Sequence, residues 1–217
     1  MIQLTELFPE FDRLHLKHGD SHLKPIYGAG QTKNPKVLLV FMNPTAKNVS
    51  SNLNWVGIQA PWLGTKNVWK LLFKLGLLTN KELIELTSKL RPEEWTAEFS
   101  ETLYNAVAQD SLYITNIAKC TQIDARHLPD SIFKEYLPSL LNEIKLINPE
   151  IIFSLGNQVS STLLSKPVSV SNYLTTEYEE LLVKGKTYKV YPTYYPVGQG
   201  TRNMSKAIER IQKVVSI

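Results

Sequence analysis

The chain has 217 residues and a formal net charge of +4, and 43% of its residues are hydrophobic against 20% charged. These values are typical of one folded domain and exclude a disordered chain. The single cysteine, Cys120, excludes an internal disulfide, a four-cysteine zinc site and a cysteine-held iron–sulfur cluster, and it favours a reducing compartment.

Residues 3–18 carry apolar positions at roughly helical spacing, interrupted by Pro9. The opening residues lack a basic region followed by an apolar core, and no apolar run approaches the ~20 residues that a membrane-spanning helix needs. We therefore expect a cytoplasmic protein. The histidines at 15, 18 and 22 have spacing that is more typical of separate side chains than of a metal site, so we expect no bound metal.

Four short apolar runs have the length and the flanking residues of buried strands. The first is bounded by Pro35 and by Asn43-Pro44, and the third ends in Gly156. The fourth closes a predicted β-ribbon that turns at Lys184-Gly185-Lys186. The predicted strands are 36–41, 111–116, 150–155 and 187–191.

Helical spacing of apolar residues fills the intervals between these strands. Because strands and helices alternate, the pattern predicts an α/β fold, a three-layer sandwich with a central, mostly parallel four-stranded sheet. We find no repeat or linker, so residues 1–217 are predicted to form a single domain, and we expect a monomer. The predicted helices lie near 65–75, 80–90, 92–109, 130–147, 157–165 and 203–215.

Two asparagines follow neighbouring predicted strands, at the edge where ligands bind in parallel sheets. Asn43, before Pro44, is suited to orienting a water or contacting a base, or it is an ordinary turn residue. The amide of Asn116 offers donors and acceptors that match a pyrimidine edge, or it caps local backbone. Trp62, between Pro61 and Gly64, is placed either to stack on a base or to pack in the core.

Taken together, these segments resemble the uracil-DNA glycosylase superfamily, in order over about 25–212. Val40-Phe41-Met42-Asn43-Pro44-Thr45 is similar to the first family motif, G-x-N-P-G in some branches. Pro61-Trp62-Leu63-Gly64 resembles the P-F-V-G segment of the iron–sulfur branch. Leu112 to Cys120 is close to the Y-I-T-N-x-x-K-C run of that branch. Tyr195 to Arg202 occupies the place of the last motif, often H-P-S-x-x-x-R.

The resemblance implies a uracil-DNA glycosylase-like fold and removal of uracil or a related damaged base from DNA by hydrolysis of the N-glycosidic bond. By position, Asn43 orients the water and Asn116 contacts the base. Trp62 stacks on the base, and Met42 joins the same pocket. The DNA contacts implied by the resemblance or predicted beside it are Lys47, Lys66, Lys119, Tyr195, Gly198, Gln199 and Arg202. The lone cysteine predicts a colourless protein without an iron–sulfur cluster, and we expect no cofactor.

Several motif positions depart from the family pattern. Phe41 and Thr45 replace the glycines of the first motif, Tyr195 replaces the histidine of the last, and the acidic residue that activates water in several branches is absent. Two alternatives therefore stay open. One is a catalytically silent nucleic-acid-binding module of the same fold, and the other is an enzyme that acts on a free nucleobase or nucleotide.

Overall fold

The computed structural model describes residues 3–196 and 202–216, which form strands and helices in alternation. The strands are β1 (Ala29–Gly30), β2 (Val37–Phe41), β3 (Leu112–Asn116), β4 (Ile151–Leu155), β5 (Glu179–Val183) and β6 (Lys186–Thr193). The α-helices are α1 (Phe8–His18), α2 (Asn67–Lys74), α3 (Lys81–Lys89), α4 (Ala97–Gln109), α5 (Asp130–Ile147), α6 (Asn157–Leu163) and α7 (Met204–Val215).

The strands form one sheet in the order β1-β3-β2-β4-β6-β5. The four central strands are parallel, which confirms the predicted parallel sheet, and β1 and β5 pair antiparallel at its edges. The sheet therefore has six strands, not the predicted four. β5 and β6 are the two arms of the predicted ribbon, whereas β1 has only two residues, too few to show an alternating pattern.

Alternate residues of β2 pack into hydrophobic cores on opposite faces of the sheet. Val37, Leu39 and Phe41 belong to a first core shared with α2, α3, α4 and α7. Leu38 and Val40 belong to a second core shared with α1, α5 and α6. Side chains of a strand point alternately to its two faces, so a strand that is apolar at every position indicates helices on both sides. The predicted three-layer sandwich is confirmed.

Two helix boundaries differ from the prediction. Pro9 does not interrupt a helix, because it lies in the first turn of α1, where the missing N–H of a proline is harmless. The predicted helix at 92–109 is a short 3₁₀ turn at 92–94 followed by α4. The side chain of Thr96 caps α4 by accepting a hydrogen bond from the N–H of Phe99 at 3.1 Å.

Among the described residues, no helix has both the length and the apolarity that crossing a bilayer requires.

An ion-pair cluster joins the end of α1 to α5. The Glu135 carboxylate lies 3.0 Å from His18 Nε2 and accepts a hydrogen bond from Lys17 Nζ at 2.8 Å. The His18 contact and then Lys17 lower the pKa of Glu135 from 4.5 to about 2. Because the folded-state pKa lies below the unfolded one, this contribution to stability is present above pH 4.5 and is lost as the pH falls towards 2.

We therefore expect Glu135→Gln to lower the melting temperature at neutral pH, and the difference from wild type to shrink as the pH falls through this window. Thermal unfolding in a pH series measures both values. A difference that stays constant down to the acid end would show that the carboxylate does not stabilise the contact between α1 and α5.

Candidate functional site

The carboxyl ends of β2 and β3 lie side by side. Phe41 is the register partner of Asn116, and the two strands stay hydrogen-bonded beyond their ends. The N–H of Ile117 donates to the carbonyl of Phe41 at 2.8 Å, and the N–H of Ala118 donates to that of Met42 at 3.1 Å. Asn43 therefore follows β2 at the same edge of the sheet at which Asn116 ends β3, as the sequence predicted.

Asn43 is half-buried in the segment that leaves β2. Its Nδ2 donates a hydrogen bond to the carbonyl of Pro44 at 3.1 Å. Within residues 3–196 and 202–216, no partner is found for its Oδ1. The Oδ1 of Asn43 can therefore accept a hydrogen bond from a water molecule.

Asn116 is buried, with 3% of its surface exposed. Its main-chain carbonyl accepts a hydrogen bond from Lys119 Nζ at 2.6 Å, while its side-chain amide makes no hydrogen bond to a described residue. The side-chain amide of Asn116 offers both donors and an acceptor. A ligand that presents a donor and an acceptor side by side, such as a pyrimidine edge, matches it.

The segment that carries Trp62 is held rigidly from several sides. The Tyr104 hydroxyl donates to the carbonyl of Pro61 at 2.6 Å, and Trp69 Nε1 donates to that of Trp62 at 3.2 Å. The N–H of Val49 donates to the carbonyl of Leu63 at 3.0 Å. These anchors come from α4, α2 and the turn at 49–51, so the position of Trp62 is fixed by three separate parts of the fold.

Trp62 itself combines two unfavourable features. Its backbone is left-handed, with a φ of 67°, a conformation that costs a residue other than glycine on the order of 1–3 kcal/mol. Its indole Nε1 is enclosed and has no hydrogen-bond partner among the described residues. Strain and unsatisfied groups of this kind persist most often at functional sites, which favours a role in ligand binding beside core packing.

Three aromatic rings meet at this edge of the sheet. The ring of Phe41 packs edge-on against Trp62, with centroids 4.9 Å apart, and against Tyr195, with centroids 5.9 Å apart. Gly156, with a φ of 99°, follows β4 close to Tyr195, since a Cβ built on it would lie 3.6 Å from the Tyr195 Cβ. Phe41, where the first family motif has glycine, therefore forms an apolar floor between the other two rings.

The hydroxyl of Tyr195 is protonated at physiological pH, as it is in an ordinary tyrosine, and burial raises the pKa of Tyr195 further, to about 12. Tyr195 therefore presents a neutral donor where the family's last motif has a histidine.

Met42, in contrast, packs its half-buried side chain against the second core, on the opposite face of the sheet from Trp62. The structure thus brings Tyr195 beside Trp62, and it does not bring the Met42 side chain to them.

The prediction that Lys119 contacts DNA phosphate is wrong. Lys119 has no exposed surface, and its Nζ forms an ion pair with Glu143 at 2.7 Å. The predicted contacts Lys47 and Arg202 are exposed and Lys66 is half-buried, so all three retain access to a phosphate. Gly198 and Gln199 lie outside the described residues.

Sequence reasoning missed a buried polar network behind Asn116. Glu143 accepts hydrogen bonds from the hydroxyls of Tyr113 and Thr115, each at 2.9 Å. Gly28 leaves room for it, because a Cβ there would lie 2.3 Å from Glu143 Oε1. A signal was present in the sequence: Glu143 lies three residues after Leu140 and four before Ile147, on the apolar face of α5.

The described residues contain no group of three or more His, Cys, Asp or Glu side chains arranged to hold a metal ion. Cys120 is buried, and burial raises the pKa of its thiol. As the only cysteine in the chain, it does not fit the four-cysteine iron–sulfur site of the branch that its neighbouring motifs resemble.

A comparison with protein families agrees with this geometry. The sequence pattern of the uracil DNA glycosylase superfamily matches residues 27–216. The match contains all six described strands of the sheet, both asparagines and the segment of Trp62. The chain therefore belongs to the uracil DNA glycosylase superfamily.

Proposed function

We propose that this protein removes uracil, or a related damaged base, from DNA by hydrolysing the N-glycosidic bond. Family membership supports a glycosylase-like hydrolase that acts on DNA. The observation that carries the finer proposal is the placement of Asn43 and Asn116 at the ends of adjacent strands whose backbones stay hydrogen-bonded beyond those ends.

The proposed reaction starts with extrusion of the base, because the atoms to be attacked are out of reach inside a duplex. Unstacking and unpairing cost a few kcal/mol. In the proposed complex the ring of Trp62 stacks on the face of the extruded pyrimidine, and the amide of Asn116 pairs with its edge. Tyr195 and Arg202 belong to the stretch that occupies the place of the family's last motif, and we expect them to contact the DNA around the extruded base.

Bond cleavage then separates charge. The bond between the base nitrogen and C1′ breaks, the electron pair leaves with the base, and C1′ gains oxocarbenium character. Preorganised donors such as the Asn116 amide stabilise the departing anion. A water oriented by Asn43 adds to C1′ and loses a proton to the surrounding solvent, from which the released base anion takes up a proton. Because an amide is a poor base, we expect slow turnover.

A panel of oligonucleotides tests this proposal. The panel contains uracil, hypoxanthine, xanthine and mismatched thymine, each in single- and double-stranded DNA, and alkaline cleavage reports the abasic sites. We expect strand breaks at uracil or a related base. A protein that binds these oligonucleotides but leaves all of them intact would be the silent module, an alternative favoured by Tyr195 and by the absent acidic residue.

A salt series separates the other alternative, an enzyme acting on a free nucleobase or nucleotide. Phosphate contacts by Lys47, Lys66 and Arg202 require DNA affinity to fall steeply with salt, by roughly one power of salt concentration for each phosphate neutralised. Filter binding measures the slope. Absence of DNA affinity even at low salt would favour the small-molecule enzyme.

A further inference from the structure

A fully buried ion pair lies directly behind Asn116. The side chains of Lys119 and Glu143 are 0% and 2% exposed. Lys119 Nζ donates to Glu143 Oε2 at 2.7 Å, to Thr115 Oγ1 at 2.5 Å and to the carbonyl of Asn116 at 2.6 Å. An ammonium has three hydrogens, so these acceptors satisfy all of them.

The carboxylate of Glu143 completes the network from α5. Its Oε1 accepts from the hydroxyls of Tyr113 and Thr115. The pair therefore connects α5 to three of the last four residues of β3. Burial lowers the pKa of Lys119, and the negative charge of Glu143 opposes that shift.

The peptide that leaves Asn116 is consequently held at both of its polar atoms. Its carbonyl oxygen is bonded to Lys119 Nζ, and its N–H, which belongs to Ile117, is bonded to the carbonyl of Phe41 at 2.8 Å. A peptide group is planar, so two bonds on its opposite sides fix its orientation. Together with the pairing of β3 and β2, that orientation fixes the Cα–Cβ bond of Asn116, from which the amide projects.

Stability alone is a poor reason for such a pair. Moving two charges out of water costs desolvation free energy that their mutual attraction barely offsets. Proteins in which such a pair is replaced by apolar side chains of similar volume are often as stable or more stable. An apolar pair, however, offers no hydrogen bond to the carbonyl of Asn116. The feature that only the charged pair supplies is the fixed geometry at the end of β3.

We propose that Lys119 and Glu143 are positioning residues that hold Asn116 in the orientation in which its amide hydrogen-bonds the extruded base. This inference rests on the proposed function for its catalytic readout. Neither residue touches the substrate, since both are enclosed. Both act through the main chain of Asn116.

The test replaces the ion pair by apolar side chains of similar size, Lys119→Met with Glu143→Leu. We expect the melting temperature to fall, because the buried hydroxyls of Tyr113 and Thr115 and the carbonyl of Asn116 lose their partners. We expect kcat on a uracil oligonucleotide to fall roughly 10- to 100-fold, the range expected for misplacing a reacting group by about 1 Å. In an Asn116→Ala background the same double replacement should cause no further loss of kcat. The pair is proposed to act through Asn116, and the effects of substitutions at coupled residues do not add. Equal losses in both backgrounds would overturn the proposal.

A milder variant and a control guard against misfolding. Thr115→Val removes one acceptor of the ammonium at nearly constant volume, and we expect a loss of several-fold in kcat. Arg210 is another buried cation, 4% exposed, which donates to the carbonyls of Leu174 and Glu177. Arg210→Met should lower the melting temperature while leaving kcat on the uracil oligonucleotide unchanged. If Arg210→Met lowers kcat as strongly as the double replacement does, the effect is general destabilisation and the proposal is overturned.

Nuclear magnetic resonance keeps this test independent of catalysis. The side-chain amide of Asn116, assigned from its loss in Asn116→Asp, should give one sharp pair of signals in wild type and broadened or shifted signals in the double replacement. An inactive wild-type protein with this difference in its spectra would refute the proposed function and leave the positioning intact. Identical Asn116 signals in the two proteins would refute the positioning.

Discussion

Asn43→Ala is expected to slow base release roughly 100-fold or more, the size of effect typical of losing a group that handles the attacking water. DNA affinity should change little, because the role proposed for Asn43 is to orient the water and not to bind the phosphates. The fold should also tolerate the change, since Asn43 is only half-buried. Single-turnover cleavage and fluorescence anisotropy with a labelled oligonucleotide measure the two quantities.

A matched control is Asn105→Ala, which makes the same change at an exposed position of α4 and should leave cleavage at the wild-type rate. A variant at Asn43 that cleaves as fast as wild type would mean that another group activates the water. The family role carried over to Asn43 would then be wrong.

Asn116→Asp is expected to reduce kcat/KM on uracil by roughly 100-fold or more, comparable to removing one donor from an oxyanion site. The carboxylate has the shape of the amide but cannot donate a hydrogen bond to the base edge. It also repels the negative charge that develops on the departing base. Competition between uracil and the other bases of the panel should show that the preference for uracil has weakened.

The control for this variant is Asn148→Asp at the opposite end of the sheet. Asn148 precedes β4 and accepts hydrogen bonds from Lys186 and from the Tyr188 hydroxyl, the latter at 3.2 Å. A carboxylate keeps that acceptor and loses only the exposed hydrogen bond that Asn148 Nδ2 donates to Asn34 Oδ1 at 2.6 Å, so folding and cleavage should both persist. Unchanged kinetics and unchanged base preference in Asn116→Asp would remove Asn116 from base recognition.

The family and the coarse fold were accessible from local patterns. The runs of β2, β3 and β4 are apolar at most positions, and asparagine, proline or glycine marks their ends, which indicates parallel strands covered on both faces. The carboxyl ends of such strands share one edge of the sheet, so Asn43 and Asn116 were predictable as neighbours. These inferences use only the spacing of residues close together in the chain.

The properties of single side chains at the site were decided by tertiary structure. Lys119 looks like a surface charge in the sequence, and its partner Glu143 is 24 residues away on another element. The segment of Trp62 is held by hydrogen bonds from Trp69 and Tyr104, which lie on two separate helices.

The apolar floor of the site has the same origin. Phe41 contacts Trp62 and Tyr195, residues that are distant in the chain and are brought to one sheet edge only by folding. The sequence by itself determined where strands end and which polar groups stand there, because backbone preference and apolar spacing act over a few residues. Burial, charge pairing and ring contacts depend on residues far apart in the chain, so only the folded structure decides them.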